Sequence, residues 1–341
     1  MNYPQTLMQL LERHDLTHAE MLALMRQIMG GELTPAQIAG VLVALRIKGE
    51  TVTEIAAAAQ VMRELSIKVQ VQDNGHLIDT CGTGGDGAQT FNISTASAFV
   101  AAAAGARVAK HGGRSVSSTC GSADVLEKLG VNVNLKPEQV AHCVDSIGIG
   151  FMFAPNHHSA MKYAAPVRRE LGVRTMFNLL GPLTNPAGAP NQVIGVFHQA
   201  LTAKIAQVLQ ELGSRHVLVV HGADGMDEIS ISEGTYVAEL KDGKVHEFVL
   251  RPSDFGLPSA PVSMLRVMNV GEACEKLLGV LNNEVGAARD IVQLNAGAAI
   301  YVAGLAATLK EGVAKADQVI ASGAAKTKLE QLVAQSNSFK V

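Results

Sequence analysis

Over residues 1–72 the apolar side chains recur three and four positions apart: Met21, Leu24, Met25 and Ile28, then Ile38, Val41, Leu42 and Leu45, then more loosely Ile55, Val61, Met62 and Leu65. A hydroxyl residue with an acid or amide three positions on precedes each stripe: Thr17 with Glu20, Thr34 with Gln37, Thr51 with Glu54. Pro35 takes the first helical position of the second. Such reciprocal capping pairs mark helix starts. Helices this short rarely bury their faces alone, so the spacing predicts that they pack on the rest of the chain or on a second copy.

From residue 76 the period changes. Short apolar runs alternate with helical stretches: strand 77–81, helix 95–104, strand 107–110, helix 123–129, strand 131–135, helix 137–147, strand 149–153, helix 159–171, strand 192–198, helix 202–212 and strand 216–221. Residues 235–250 read as an antiparallel hairpin and 271–335 as further helices. The pattern predicts an α/β fold with a small N-terminal helical domain and a large domain built on a central, mostly parallel sheet wrapped by helices. The boundaries are set at 1–72, joined by part of 160–190, and 73–341.

Composition narrows the function classes. The 341 residues carry a net charge of −3 and no run of Lys or Arg, which gives no reason to expect nucleic acid or a membrane as partner. Four cysteines without C-x-x-C spacing, and a start lacking a basic segment before an apolar core, predict a reduced, cytoplasmic protein. The uncharged stretch 295–309 is too short to span a bilayer and predicts a buried helix.

Candidate chemistry centres on residues 77–95, LIDTCGTGGDGAQTFNIST. A strand runs into a turn with glycines at 82, 84, 85 and 87, and the turn opens a helix; glycine lets backbone N–H groups approach a ligand, and the helix start adds unpaired N–H groups. That is an anion site. The spacing also satisfies G-x-G-x-x-G, but a dinucleotide site needs an acid about 20 residues on, where this chain has the basic Arg107 to Arg114, and the P-loop G-K-[ST] is missing. Two successive strand-end loops, one glycine-rich and one cationic, predict a polyphosphate held from two sides.

GTGGD (82–86), NIST (92–95), KHGGR (110–114), the run HHSAMKYAAPVRRELGVRTMFNLLGPLTNP (157–186) and GMDEIS (225–230), in that order, resemble the anthranilate phosphoribosyltransferase family of tryptophan biosynthesis. The resemblance implies a Mg2+-dependent homodimer, joined through its helical domain, that takes phosphoribosyl pyrophosphate (PRPP) and anthranilate. It implies PRPP contacts from Gly82, Gly85, Asp86, Thr90, Asn92, Ile93, Ser94, Thr95, Lys110, His111, Gly112, Gly113, Arg114, Ser115, Val116, Ser117, Ser118 and Ser122, with Lys110 and Arg114 as cations facing the departing pyrophosphate. Anthranilate would meet Gly82, Gly113 and Arg168, and Mg2+ would meet Ser94, Asp227 and Glu228. Arg169 and Arg174 are expected as structural ion-pair partners, Ser122 as a cap for the helix it opens, and His157 and His158 as pocket or helix-start residues. No residue is assigned as general base; His111 is a candidate by sequence position only.

Two positions depart from the family pattern. Gly113 stands where KHGNR has asparagine, deleting an amide between the two substrates, and Ser159 stands where proline is usual. Two other readings are carried alongside. A pyrimidine nucleoside phosphorylase would show a loop like STGGVGD rather than GTGGD, and a non-catalytic nucleic-acid binder would show a basic surface helix.

Overall fold

The computed structural model describes residues 2–114 and 120–339. After α1 (Tyr3–Leu11) come α2 (His18–Gly30), α3 (Pro35–Lys48) and α4 (Val52–Leu65), each of the last three closed by its reciprocal cap. Glu54 does more than cap. Fully buried, it also accepts from the Leu16 N–H at 2.9 Å and from Lys48 Nζ at 2.9 Å, tying the α1–α2 connection to α3 and α4.

Seven strands form one sheet in the order β3-β2-β1-β4-β5-β6-β7. They are β1 (Leu77–Gly82), β2 (Arg107–Gly112), β3 (Ile149–Phe153), β4 (Asn191–Gly195), β5 (His216–Gly222), β6 (Thr235–Lys241) and β7 (Lys244–Leu250). The first five are parallel; β6 and β7 form the antiparallel hairpin. The chain works outward from β1 to β3 on one side and restarts at β4 on the other. This reversal opens a crevice beyond the carboxyl ends of β1 and β4, where ligands bind in open α/β sheets.

The remaining helices are α5 (Ile93–Ala103), α6 (Ser122–Lys128), α7 (Pro137–Ile147), α8 (Ala154–His157), α9 (Ala165–Leu171), α10 (Phe177–Leu180), α11 (Thr202–Glu211), α12 (Val270–Leu281), α13 (Ala287–Val302), α14 (Leu309–Ala321) and α15 (Ala324–Ser338). On one sheet face, Ile78, Val108 and Leu218 pack with Phe99, Leu277, Ile291 and Ile300 in a core that includes α5, α12 and α13. On the other, Ile194 and Val219 pack with Leu24, Ile28, Leu42 and Ile55 of the N-terminal helices, together with Phe177, Leu180 and Leu209. Among the described residues no helix is long and apolar enough to cross a membrane; α13, which begins the uncharged stretch, is buried along nearly its whole length.

Two expected elements differ. Residues 131–135 alternate buried positions with the half-buried Asn132 and the exposed Asn134, yet they form no strand. Their backbone is served by side chains, the Asn132 N–H by Ser336 Oγ and the Asn134 N–H by Asn132 Oδ1, so the alternation records burial beneath α15 rather than a ladder. The helix expected over 159–171 is split into a 3-10 turn at Ser159–Lys162 and α9, because Pro166 has no N–H to continue the ladder.

Candidate active site

β1 and β4 end side by side on Gly82 and Gly195, and both glycines are required by what lies above them. A Cβ on Gly82 would run into Asp227 Oδ2, and one on Gly195 would overlap the Asp227 carbonyl. The turn that follows takes positive φ at Gly84, Gly85 and Gly87, a region side chains resist. It is pinned on both flanks: the Thr83 N–H donates to the Gly195 carbonyl at 2.9 Å, and Thr83 Oγ1 accepts from the Phe197 N–H at 3.1 Å.

Asp227 and Glu228 come from the loop after β5 and descend onto this turn. The Gly84 N–H donates to Asp227 Oδ2 at 2.8 Å, and the Ser94 N–H, at the start of α5, donates to Glu228 Oε1 at 3.2 Å. Asp86 lies alongside, accepting from the Ala88 N–H at 3.2 Å and the Asp227 N–H at 3.4 Å. Burial, then the neighbouring acids, push the Asp227 and Glu228 carboxyls above the usual carboxylate range. Lys110, 3% exposed, is the counter-charge: its Nζ donates to the Thr80 carbonyl at 2.5 Å and to Ser94 Oγ at 3.3 Å. Three carboxylates face one ammonium here, although among the described residues no three acids, histidines or cysteines converge closely enough to bind a metal by themselves. Oxygen donors of this kind, carboxylates with a serine hydroxyl, suit Mg2+, which keeps waters and shares substrate phosphates. The residues present fit that ion.

The cationic loop is held from behind by a group that the sequence did not single out. Asp79, wholly buried on β1, accepts from the His111 N–H at 3.1 Å and from Asn185 Nδ2 at 2.8 Å, and the same Asn185 amide donates to the Ala109 carbonyl at 2.9 Å. Burial pushes the Lys110 ammonium down and Asp79 chiefly offsets it; burial likewise lifts Asp79 and Lys110 offsets that. His111 is buried against His158, ring centroids 5.1 Å apart, and burial with these neighbouring histidines lowers it to about 3; His158 is lowered to about 4. Both stay neutral near pH 7, and the Nε2 atoms of His111, His157 and His158 have no partner among the described residues. His157 Nδ1 lies 3.0 Å from the Ile67 carbonyl.

The other expected residues fall as follows. Thr90, Asn92 and Ser94 are half-buried while Phe91, Ile93 and Thr95 are buried, so the segment turns alternate side chains toward the crevice. Asn92 does not cap α5; its amide pairs with the carbonyl and Sγ of Cys120 instead. Gly112 is in close approach to Ser122, where a Cβ would overlap its Oγ, whereas among the described residues a Cβ on Gly113 meets only Ala154 at 4.0 Å. Ser122 opens α6 without capping it; the Asp124 carboxylate accepts from the Gly121 N–H at 2.9 Å in its place. Ser115, Val116, Ser117 and Ser118 lie outside the described residues.

Three arginines depart from expectation. Arg114 is not a free cation: its guanidinium pairs with Asp124 at 2.7 Å and Glu127 at 2.6 Å and lies over the Phe153 ring. Arg174 makes no ion pair among the described residues; it donates to the Gly85 carbonyl and lies 4.3 Å from the centroid of the Phe197 ring, so a segment from beside α10 touches the glycine turn. Arg169 has no carboxylate partner among the described residues either. Arg168 sits 5.5 Å over the Phe177 ring, its charge disfavoured by burial.

A helical bundle beside an α/β sheet, with a glycine-rich turn at the sheet's topological reversal, is the architecture of a glycosyl transferase family. Residues 4–66 match its helical bundle domain and 74–326 its a/b domain. The anthranilate phosphoribosyltransferase of Thiobacillus denitrificans is 64% identical over 98% of both chains. The crystal structure of anthranilate phosphoribosyltransferase from Thermus thermophilus superposes with a TM-score of 0.92 at 45% identity, covering 97% of this chain and 99% of that one. The Saccharomyces cerevisiae enzyme in complex with PRPP and Mg follows at TM-score 0.84 and 28% identity, covering 94% and 93%. The chain belongs to the anthranilate phosphoribosyltransferases. This sets aside the nucleoside phosphorylase and nucleic-acid readings.

Proposed function

We propose that the chain transfers the 5-phosphoribosyl group of PRPP to the amino nitrogen of anthranilate, releasing pyrophosphate, in tryptophan biosynthesis. The convergence of Asp86, Asp227 and Glu228 with Lys110 and the N-terminus of α5, between the glycine turn and the end of β2, is the observation that supports it most.

Diphosphate lies between the two loops, taking N–H donors from the glycine turn and α5 and charge from Lys110. Lys110 acts more strongly as negative charge grows on the leaving group, and it is already in place, so it favours the transition state. Ser94, Asp227 and Glu228 would hold Mg2+, which would supply positive charge to neutralise the diphosphate. Arg168 receives the anthranilate carboxylate, with Gly82 and Gly113 lining the same place. The amine then attacks C1 of the ribose, the C1–N bond forming as the C1–O bond to pyrophosphate breaks, and the nitrogen releases one proton to solvent. His111 and His158 are weak bases and store no proton at pH 7. They offer uncharged acceptor nitrogens, and no residue is assigned as general base.

The protein is proposed to act as a cytoplasmic homodimer. Its four cysteines are free thiols, and Met8 and Leu11 of α1 and Val43 and Ile47 of α3 are exposed apolar side chains on two helices of the helical domain, available to a second copy. Loss of anthranilate fluorescence with PRPP, with and without Mg2+, tests the reaction, and incubation with thymidine and phosphate should give no product. Arg168→Ala should chiefly raise KM for anthranilate, while Asp227→Ala and Glu228→Ala should abolish turnover; full activity of the acidic variants at limiting metal would overturn the metal assignment.

A further inference from the structure

We infer that Asn295 is a positioning residue for the cation site, holding Asp227 and Glu228 in place through the backbone of Ile229. The inference rests on the reading of those two acids as Mg2+ ligands.

The loop between β5 and β6 has no regular structure of its own, yet it must hold two mutually repelling carboxylates at fixed places. Ile229, next after Glu228, is 2% exposed, and its backbone meets no strand. Asn295 of α13, also 2% exposed, reads that backbone completely: Oδ1 accepts from the Ile229 N–H at 2.9 Å and Nδ2 donates to the Ile229 carbonyl at 2.9 Å. The second Nδ2 hydrogen goes to the Ile291 carbonyl at 2.9 Å, one turn back on the same helix. A flipped amide would set donor against donor and acceptor against acceptor, so one orientation is allowed. The partner peptide is thereby fixed in both direction and height.

An asparagine in a buried helix costs free energy unless its amide is paired, and alanines and apolar residues fill most of the turns around it. Here the amide is fully used, and all of its bonds outside α13 end on the residue beside Glu228. The Glu228 carboxylate is then set by a short, rigid path from the helix. Asp224 steadies the other end of the loop, accepting from the Met226 N–H at 3.1 Å and from Ser232 Oγ at 2.5 Å.

The test measures Mn2+ binding by the electron paramagnetic resonance of free Mn2+, with PRPP present and anthranilate absent, on the full-length chain. Asn295→Ala should weaken Mn2+ by about tenfold to a hundredfold and raise the Mg2+ concentration for half-maximal activity in proportion. KM for anthranilate at saturating metal should not change. Asn295→Ser, which keeps a hydroxyl, should show a smaller loss and serves if the alanine variant does not fold. Ile320→Ala, a fully buried site on α14, should lower Tm without touching Mn2+ affinity, separating loss of stability from loss of placement. Wild-type Mn2+ binding in both Asn295 variants, with Asp227→Ala defective, would overturn the inference alone. Wild-type binding in Asp227→Ala would overturn the ligand reading and this inference with it.

Discussion

Replacing Gly82 by alanine separates catalysis from folding. Gly82 does not have a positive φ, so alanine brings no backbone strain and removes freedom from the unfolded chain, a gain of about 0.4–1 kcal/mol. The new methyl would sit 3.1 Å from Asp227 Cγ and inside contact distance of Oδ2. Restoring ordinary separation of about 3.5 Å asks the carboxylate to retreat by roughly 1 Å. The obstacle is the end of a side chain, so the fold yields cheaply and Tm should stay near that of the parent protein. The active site does not yield cheaply, because a displacement of about 1 Å in a positioned group can cost about a hundredfold in rate. The assay is kcat/KM for PRPP at saturating anthranilate and Mg2+, with thermal unfolding on the same samples. Near-parental kcat/KM would refute the claim that this close approach sets the Asp227 oxygen. A large fall in Tm would refute the claim that the side chain gives way. Gly195→Ala is the contrast: its methyl meets the Asp227 backbone, which cannot rotate aside, and it should destabilise the protein severely.

Three further outcomes are expected. Burial and Asp86 raise the Asp227 carboxyl from 3.8 to about 7, so its contribution to stability is full below the unfolded value and is lost as pH rises through the folded one. Metal-free protein should therefore lose stability between about pH 4 and about pH 7 and level off above that, and Asp227→Asn, which imitates the protonated acid, should remove part of that slope in urea titrations while abolishing turnover; an unchanged slope would count against it. Gly113→Asn should fold normally, since among the described residues a Cβ there meets only Ala154 at 4.0 Å, and the restored amide should lower KM for anthranilate by a factor equivalent to about 1 kcal/mol; a raised KM would show that glycine is needed there. Leu11→Asp with Ile47→Asp, at two exposed apolar positions of the helical domain, should shift the protein from dimer to monomer in sedimentation without lowering its helix content; an unchanged sedimentation coefficient would move the subunit contact elsewhere.

The local grammar of the chain was legible because it depends on neighbours in sequence. The caps at Thr17, Thr34 and Thr51 close within three residues, and the glycines at 84, 85 and 87 are demanded by their own φ values, so both could be read without a partner. The glycine turn, the acid pair and Lys110 announced themselves by residue type. Their meeting did not, since the contacts of Gly84 with Asp227 and of Ser94 with Glu228 join loops far apart in the chain. Residues 131–135 misled because alternation reports which side is buried and says nothing of a ladder partner. Arg114 looked like a free cation because Asp124 and Glu127 become its neighbours only when α6 folds back beside it.

By itself, then, the sequence determined the helix starts, the alternation of strand and helix, the glycine turn and the inventory of charged groups, all set by short-range sterics and hydrogen bonding. The tertiary structure decided which charges are neutralised and which stay available. Asp79, Asn185 and Asn295 are ordinary polar residues in the sequence; they acquire roles because the sheet and α13 bury them opposite particular backbone groups, where an unpaired amide or carboxylate is too costly to leave.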